Sequence, residues 1–340
     1  MTEEKKILLG HGSGGVLTHT LISEVFAKAF DNPLLSPLND QAVFSMPARR
    51  LAFTTDSYVV SPIFFPGGDI GKLSVCGTVN DLAVGGARPV YMSASFIIEE
   101  GMPLGDLERV AESMAATAKE AGVLIITGDT KVVERGKGDG VFINTAGIGV
   151  VPDGMELSPS LIRPGDVVIA SGDIGDHGIA IMTHREGIEM DVPVKSDCAP
   201  LHALVAEMLS RNGWNAGIKA MRDPTRGGLA TILNEFASAS GCGFLIREDA
   251  VPVKEAVRGA CELLGFDPLY LANEGKLVAV VAKEDAEGTL AAMRRSPLGA
   301  GAAIIGEAIE KPAGKVLLET SIGNRRILDM LSGAQLPRIC

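Results

Sequence analysis

The last residue of the chain is a cysteine, Cys340, three positions beyond Pro337. A thiol at a fraying chain end is generally accidental, but on a mobile tail it can be modified in one active site, carried, and presented in another. Acidic residues recur where predicted strands and helices end. Asp56 closes the apolar run LAFTT, Asn80-Asp81 lies within GTVNDLA, and Asp129 follows VLIIT. Carboxylates at strand ends are where α/β proteins place ligand groups, and magnesium prefers such hard oxygen ligands together with phosphates. Each acid also reads as an ordinary turn residue or helix cap. Lys131, beside Thr130 and two positions after Asp129, suits a polyphosphate or a proton transfer. It is also the kind of lysine that a solvated loop carries.

Gly10-His11-Gly12-Ser13-Gly14-Gly15 fits the spacing of a dinucleotide fingerprint. Only Ile7-Leu8-Leu9 precedes it as a strand, however, and Asp31 falls in a helix-ending turn. The segment reads instead as a flexible N-terminal loop or as a glycine loop whose amides close over a polyphosphate. Gly68–Ser74 resembles a P-loop, but Pro66 stands where its first glycine belongs and Leu73 replaces the Ser or Thr after Lys72, which excludes it. Arg222-Asp223-Pro224-Thr225-Arg226-Gly227-Gly228 is predicted to open a helix, with Asp223 as N-cap and Pro224 at the first position. Two arginines and free helix-start amides there suit an anion. Glu274, in the turn Asn273-Glu274-Gly275-Lys276, is a candidate general base or a solvated turn residue.

These residues need a frame, and the pattern supplies an α/β one. Helices are predicted over 16–30, 71–86, 104–121, 178–186, 200–211, 224–239, 253–264 and 285–295. Strands are predicted over 51–55, 88–98, 123–127, 141–151, 166–170, 243–247, 276–282 and 301–306, and Gly333 ends a last helical segment. The turn Pro152-Asp153-Gly154 divides the chain into domains 1–152 and 153–332, followed by a tail, 333–340. Eight extended residues reach about 26–29 Å. Both halves carry a short strand running into Gly-Asp, at 127–129 and 171–173, a hint of two related halves.

The 340 residues suffice for two cores. Hydrophobic residues at 46% and charged ones at 21% are ordinary for a globular chain. The net charge of −11 and the lack of a basic run argue against nucleic-acid binding. No apolar run is long enough to span a membrane, and MTEEKKILLGHG is not a signal peptide, so a cytoplasmic location is expected. The five cysteines, at 76, 198, 242, 261 and 340, form no CxxC pair and are expected as reduced thiols.

Several motifs in order along the chain resemble the HypE family of [NiFe]-hydrogenase maturation factors. They are HGSGG at 11–15, TTD at 54–56, GTVNDLA at 77–83, GDTK at 128–131, RDPTRGGLA at 222–230, ANEGK at 272–276 and PRIC at 337–340. The upstream motifs are shared with the wider superfamily of aminoimidazole ribonucleotide (AIR) synthetase, selenophosphate synthetase and thiamine-monophosphate kinase; the Pro-Arg-Ile-Cys end narrows the resemblance. It implies two α/β domains of the AIR synthetase type and a homodimer formed through the N-terminal sheet. It further implies ATP and Mg2+ held by His11, Gly12, Gly14, Gly15, Asp56, Asn80, Asp81, Asp129, Thr130, Arg222 and Arg226, with Asp56, Asp81 and Asp129 on the metal. In the family a carbamoyltransferase, HypF, loads the terminal cysteine. ATP then drives dehydration of the thiocarboxamide to a thiocyanate, and the nitrile passes to iron on the HypC–HypD complex as a cyanide ligand. On that reading Cys340 carries the substrate, and Glu274 or Lys131 takes a proton. The alternatives are a small-molecule synthetase or kinase of the same superfamily, which would not need Cys340, and a non-catalytic carrier.

Overall fold

The computed structural model describes residues 6–12, 16–36, 44, 50–210, 217–330 and 338–340. Gly14, Gly15 and tail residues 333–337 lie outside them.

The N-terminal half begins with helices α1 (Val16–Leu21) and α2 (Ala27–Ala29), joined by a π turn at 22–26. Strand β1 (Leu51–Tyr58) and a short hairpin, β2 (Phe64–Phe65) with β3 (Gly68–Asp69), lead into α3 (Ile70–Val84). Then come β4 (Arg88–Glu99), α4 (Leu104–Ala121), β5 (Leu124–Val133) and β6 (Val141–Val150). Four of these strands form one sheet in the order β1-β6-β4-β5. Asp69 caps α3, its carboxylate accepting from Gly71 N at 2.8 Å and Lys72 N at 3.1 Å, so the lysine of the near-miss P-loop sits in an ordinary capped helix start. The buried residues of α4, among them Leu107, Val110, Ala111, Met114 and Ala118, recur at helical spacing.

One face of this sheet carries the helices; the other is open. Along β1 residues 52, 54, 56 and 58 turn inward while Leu51, Phe53, Thr55 and Ser57 turn outward. Phe53 is 71% exposed and Leu51 53%, and Ile97 and Leu124 are also exposed.

The C-terminal half comprises β7 (Val167–Ala170), α5 (Asp176–Arg185), α6 (His202–Leu209), β8 (Ile218–Arg222), α7 (Gly228–Ser240), β9 (Gly243–Arg247), α8 (Glu255–Leu264), β10 (Val278–Val281), α9 (Ala286–Arg295), β11 (Ala303–Ile309), β12 (Val316–Glu319) and β13 (Arg325–Ile327). Its seven-stranded sheet runs β13-β12-β9-β11-β7-β10-β8. The two halves meet at α3, which is buried on all sides.

Four expectations change. β1 runs on to Tyr58 and β5 to Val133, so Asp56 and Asp129 lie inside strands rather than at their ends. Helix α7 begins at Gly228 behind a left-handed Gly227, so Asp223 and Pro224 belong to a loop and cap nothing. Strands β8, β12 and β13 were not signalled by periodicity, being short and, in β13, wholly exposed. Residues 325–327 form a strand where a last helical segment was expected. Among the described residues no helix is long and apolar enough to cross a membrane.

Candidate active site

The inward face of β1 and the C-terminal part of α3 bring the first two acids together. Gly77 permits this approach: a Cβ there would lie 2.2 Å from the Tyr58 hydroxyl. Asp81 accepts from Thr54 Oγ1 at 2.8 Å, and Asp56 accepts from Tyr58 at 3.2 Å. Burial, then the charge of Asp81, raise the Asp56 carboxyl to about 6. The third acid is Asp223. Burial first, then Asp81, push it up to about 7, with Asp56 adding to the repulsion. Sequence reasoning assigned Asp223 to a helix cap; the signal it missed was the pair of glycines, which delays the helix by four residues. A cleft of about 620 Å3 opens beside these acids, lined by Phe53, Thr54, Asp81, Asp223 and Arg226 among others. Arg226 stands over it, 82% exposed and 3.8 Å from Asp56. Arg222 lines the same cleft but is ion-paired with Glu235.

Glu274 enters from the C-terminal half. Asp197 accepts from Glu274 N and Gly275 N, each at 3.1 Å, and lies 3.7 Å from the Lys276 ammonium. Gly275 fits under this loop because a Cβ would meet Asp197 O at 1.9 Å. The Glu274 side chain is buried, and its Oε1 has no hydrogen-bond partner among the described residues. Burial, followed by the charges of Cys198, Asp223, Asp197 and Asp56, raises its carboxyl well above the ordinary range.

The chain end is seated in this site. Val59 N donates to Cys340 O at 3.1 Å and Ser61 N to Arg338 O at 3.3 Å. Ile339 is buried in the N-terminal core. His177, itself fully buried, approaches Ile339 O with Nε2 at 2.9 Å and the Ser196 hydroxyl with Nδ1 at 2.8 Å. A carbonyl only accepts, so Nε2 carries the proton and Nδ1 accepts from Ser196. Burial, then the Glu274 charge, push the Cys340 thiol up to about 12.

Three placements correct the sequence reading. Asn80 is spent on the domain junction: its amide nitrogen donates to Ala199 O and Glu274 O, each at 3.2 Å, and its oxygen accepts from Leu201 N at 2.7 Å. Both of its amide protons and one lone pair of its oxygen are thus engaged within the protein. Asp129 and Lys131 do not join Asp56 and Asp81. They pair with each other at 2.8 Å on β5, three strands from β1, a lateral separation of about 14 Å. Asp129 faces Ser95 and Lys131 faces Ile97 across the ladder, which puts both on the open face, whereas Asp56 faces the helices. Lys131 holds the Asp129 carboxyl below the usual range. Within one chain Lys131 therefore lies three strands from β1, beyond whose end Cys340 is bonded, and Thr130 shares the strand of Lys131. His11, with Gly12, forms a short turn whose ring folds back on Leu8 N at 3.0 Å, and this turn packs beside β5. The expected set thus divides into a β1 half with Asp56, Asp81, Arg226, Glu274 and Cys340, and a β5 half with His11, Gly12, Asp129, Thr130 and Lys131.

Residues 38–151 match the family described as AIR synthase related protein, N-terminal domain, and residues 163–319 match its C-terminal domain. Fold and site thus define a two-domain protein of the AIR synthase class. Within that class the likeness is specific. The carbamoyl dehydratase HypE of Rhizobium leguminosarum bv. viciae is 60% identical over 98% of this chain and 95% of its own length. That of Escherichia coli K12 is 49% identical over 98% and 99%. A crystal structure of the hydrogenase maturation protein HypE in complex with ATP superposes with a TM-score of 0.94 at 50% identity, covering 98% of this chain and 99% of the other. A HypE–HypF complex matches at 49% identity and TM-score 0.80, over 92% and 99%. The chain belongs to the carbamoyl dehydratase HypE family.

Proposed function

We propose that this chain dehydrates an S-carbamoyl group on its own Cys340 to a thiocyanate at the expense of ATP, as a step of [NiFe]-hydrogenase maturation. The observation that carries this reading is the seated chain end. The Cys340 thiol lies under the charge of Glu274, whose buried Oε1 has no partner among the described residues. A small-molecule kinase of this fold has no use for a thiol there, and a passive carrier has no use for an unpartnered carboxyl beside it.

Asp56, Asp81 and Asp223 fit magnesium as a set of hard oxygens whose mutual repulsion a cation relieves. Among the described residues no group of three or more His, Cys, Asp or Glu side chains is arranged to hold a metal ion by itself, so phosphate oxygens and waters would have to complete the shell of a magnesium ion there. When bound, ATP with magnesium supplies the phosphoryl group that makes the thiocarboxamide oxygen a leaving group. Arg226 is placed to hold negative charge over the cleft. Glu274 takes a proton from the amide nitrogen, and its raised proton affinity suits that task. The C–O bond breaks, the oxygen departs on phosphate, and the second nitrogen proton leaves as the triple bond forms. Burial of the tail excludes water, which would otherwise hydrolyse the activated group.

The seated thiol, held protonated, is a poor nucleophile. Loading of Cys340 by a carbamoyltransferase of the HypF type therefore belongs to a released tail, as does delivery of the nitrile to a HypC–HypD acceptor. The open apolar face of the N-terminal sheet is the surface through which the homodimer forms. A two-fold axis along the strands sets β5 of each chain beside β1 of the other, which joins the two half-sites and gives Asp129 and Lys131 a role in the partner's site.

The test is the intact mass of the S-carbamoylated chain after incubation with ATP and magnesium. Loss of one water is expected from the native chain, and retention of the carbamoyl mass from Glu274→Gln. Unimpaired water loss by Glu274→Gln removes it as the base, and a modification mapping to Cys76, Cys198, Cys242 or Cys261 removes Cys340 as the carrier.

A further inference from the structure

The three described tail residues are gripped directly, by groups from both halves of the protein. The bonds from Val59 and Ser61 pair residue 59 with 340 and residue 61 with 338, an antiparallel strand register. Arg185 Nη2 donates to the Arg338 carbonyl at 2.6 Å, while its Nε holds Ser61 O at 2.7 Å. His177 holds the Ile339 carbonyl between these two. Each tail carbonyl from 338 to 340 thus has a donor. Among the described tail residues, two side chains besides that of Cys340 are held by the groove. Ile339 is 5% exposed in the N-terminal core, and the Arg338 guanidinium donates to Val59 O at 3.1 Å and pairs with Asp139.

We propose that this groove is a peptide-binding site in its own right. It accepts a separate peptide ending in Arg-Ile-Cys and, on the reading given above, dehydrates an S-carbamoyl group on that peptide in trans. This is strand addition: main-chain bonds supply affinity, and one apolar pocket with one acidic contact supplies specificity. The covalent link to the rest of the chain is needed only to keep the tail at a high local concentration, of about millimolar order. The reaction balances as it does in the chain. Carbamoylated peptide and ATP give thiocyanate peptide, ADP and phosphate; the oxygen leaves on phosphate, and no oxidation occurs.

The receptor for the test is the chain ending at Pro337. The probe is a fluorescent peptide of residues 333–340, Gly-Ala-Gln-Leu-Pro-Arg-Ile-Cys. Anisotropy should show saturable binding to the shortened chain, none to the intact chain at the same concentrations, and at least tenfold weaker binding, roughly, for the peptide with Ile339→Asp, since a carboxylate would be buried unpaired. If the shortened chain does not fold, the full-length Ile339→Asp chain, whose own tail cannot seat, serves as receptor. No binding to either receptor overturns the proposal, as does equal binding of the Ile339→Asp peptide. Cyanate-treated peptide, carbamoylated on its thiol, should then lose one water in the presence of ATP, magnesium and the shortened chain. Bound peptide that is not dehydrated, while the intact chain dehydrates its own tail, refutes the activity in trans. Failure of the intact chain to dehydrate its own tail refutes the parent reading instead, and the anisotropy result stands apart from it.

Discussion

Asp223→Asn separates the stability of this site from its function. The Asp223 carboxyl is raised from 3.8 to about 7, chiefly by burial and next by the neighbouring charge of Asp81. A group whose folded value is raised binds its proton more tightly in the native state. It therefore opposes folding progressively as pH rises from about 4 through about 7, and its effect is constant above that. Converted directly, a shift of this size is about 4 kcal/mol. The loop borders an open cleft, and solvent screening brings this to ~2 kcal/mol. Asparagine has the same shape and no proton to lose. The variant should match the native chain at pH 4 and exceed it at pH 8 by a melting midpoint of about 4–8 °C. Scanning calorimetry of the nucleotide-free protein from pH 4 to pH 8 measures this. With magnesium and ATP present the order should reverse at pH 8, because only the native chain gains from filling the acidic set. A pH-independent difference, or a variant less stable at pH 8 than the native chain, refutes the argument that these acids are held together against their repulsion.

Asn80→Ala strands Leu201 N and deprives two buried carbonyls of a donor, so it should destabilise the protein by about 3 kcal/mol; an unchanged denaturant midpoint would return Asn80 to the candidates for ligand binding. Lys131→Ala and Cys340→Ser should each abolish water loss from the chain end. If the proposed homodimer shares its sites, refolding the two variants together should restore about a quarter of native turnover, because half of the dimers would be mixed with one complete site each; no recovery would place Lys131 outside the partner's site. Asp129→Ala should behave in the same mixing assay as Lys131→Ala.

Long, strongly periodic elements such as α4 were legible in the sequence, and so was the identity of most acids at the site. Their grouping was not. Asp56 and Asp129 look alike in sequence, each an acid after an apolar run. They part only because strand alternation turns one to the helices and the other to the open face, and because the strand order places β1 and β5 at opposite edges. That order is set by pairings distant in the chain, which local periodicity does not carry. Asn80 beside Asp81 shows the same limit: adjacent residues on α3 point to different tasks, one to a domain junction and one to the cleft. Asp197, which fixes the Glu274 turn, and His177, which holds the tail, carried no motif spacing that would single them out. Buried polar side chains of this kind are recognised by what they bond, and their partners lie 77 and 162 positions away.

The division of the site between two edges bears on how a single thiol can serve several reactions. Among the described residues the β1 half contains the groups that seat the chain end: Val59, which bonds Cys340 O, His177, which bonds Ile339 O, and Glu274, whose charge acts on the thiol. This half keeps the thiol protonated and shielded. The β5 half carries the turn at His11 and the Lys131–Asp129 pair, and in the proposed homodimer it meets the first half of the other chain. A tail that leaves its groove gives up its main-chain bonds and the burial of Ile339, while the acids stay where the fold holds them. Release of the cysteine to a partner protein is thus compatible with an intact nucleotide site, because the groups that hold the tail are separate from those suited to hold phosphate and metal.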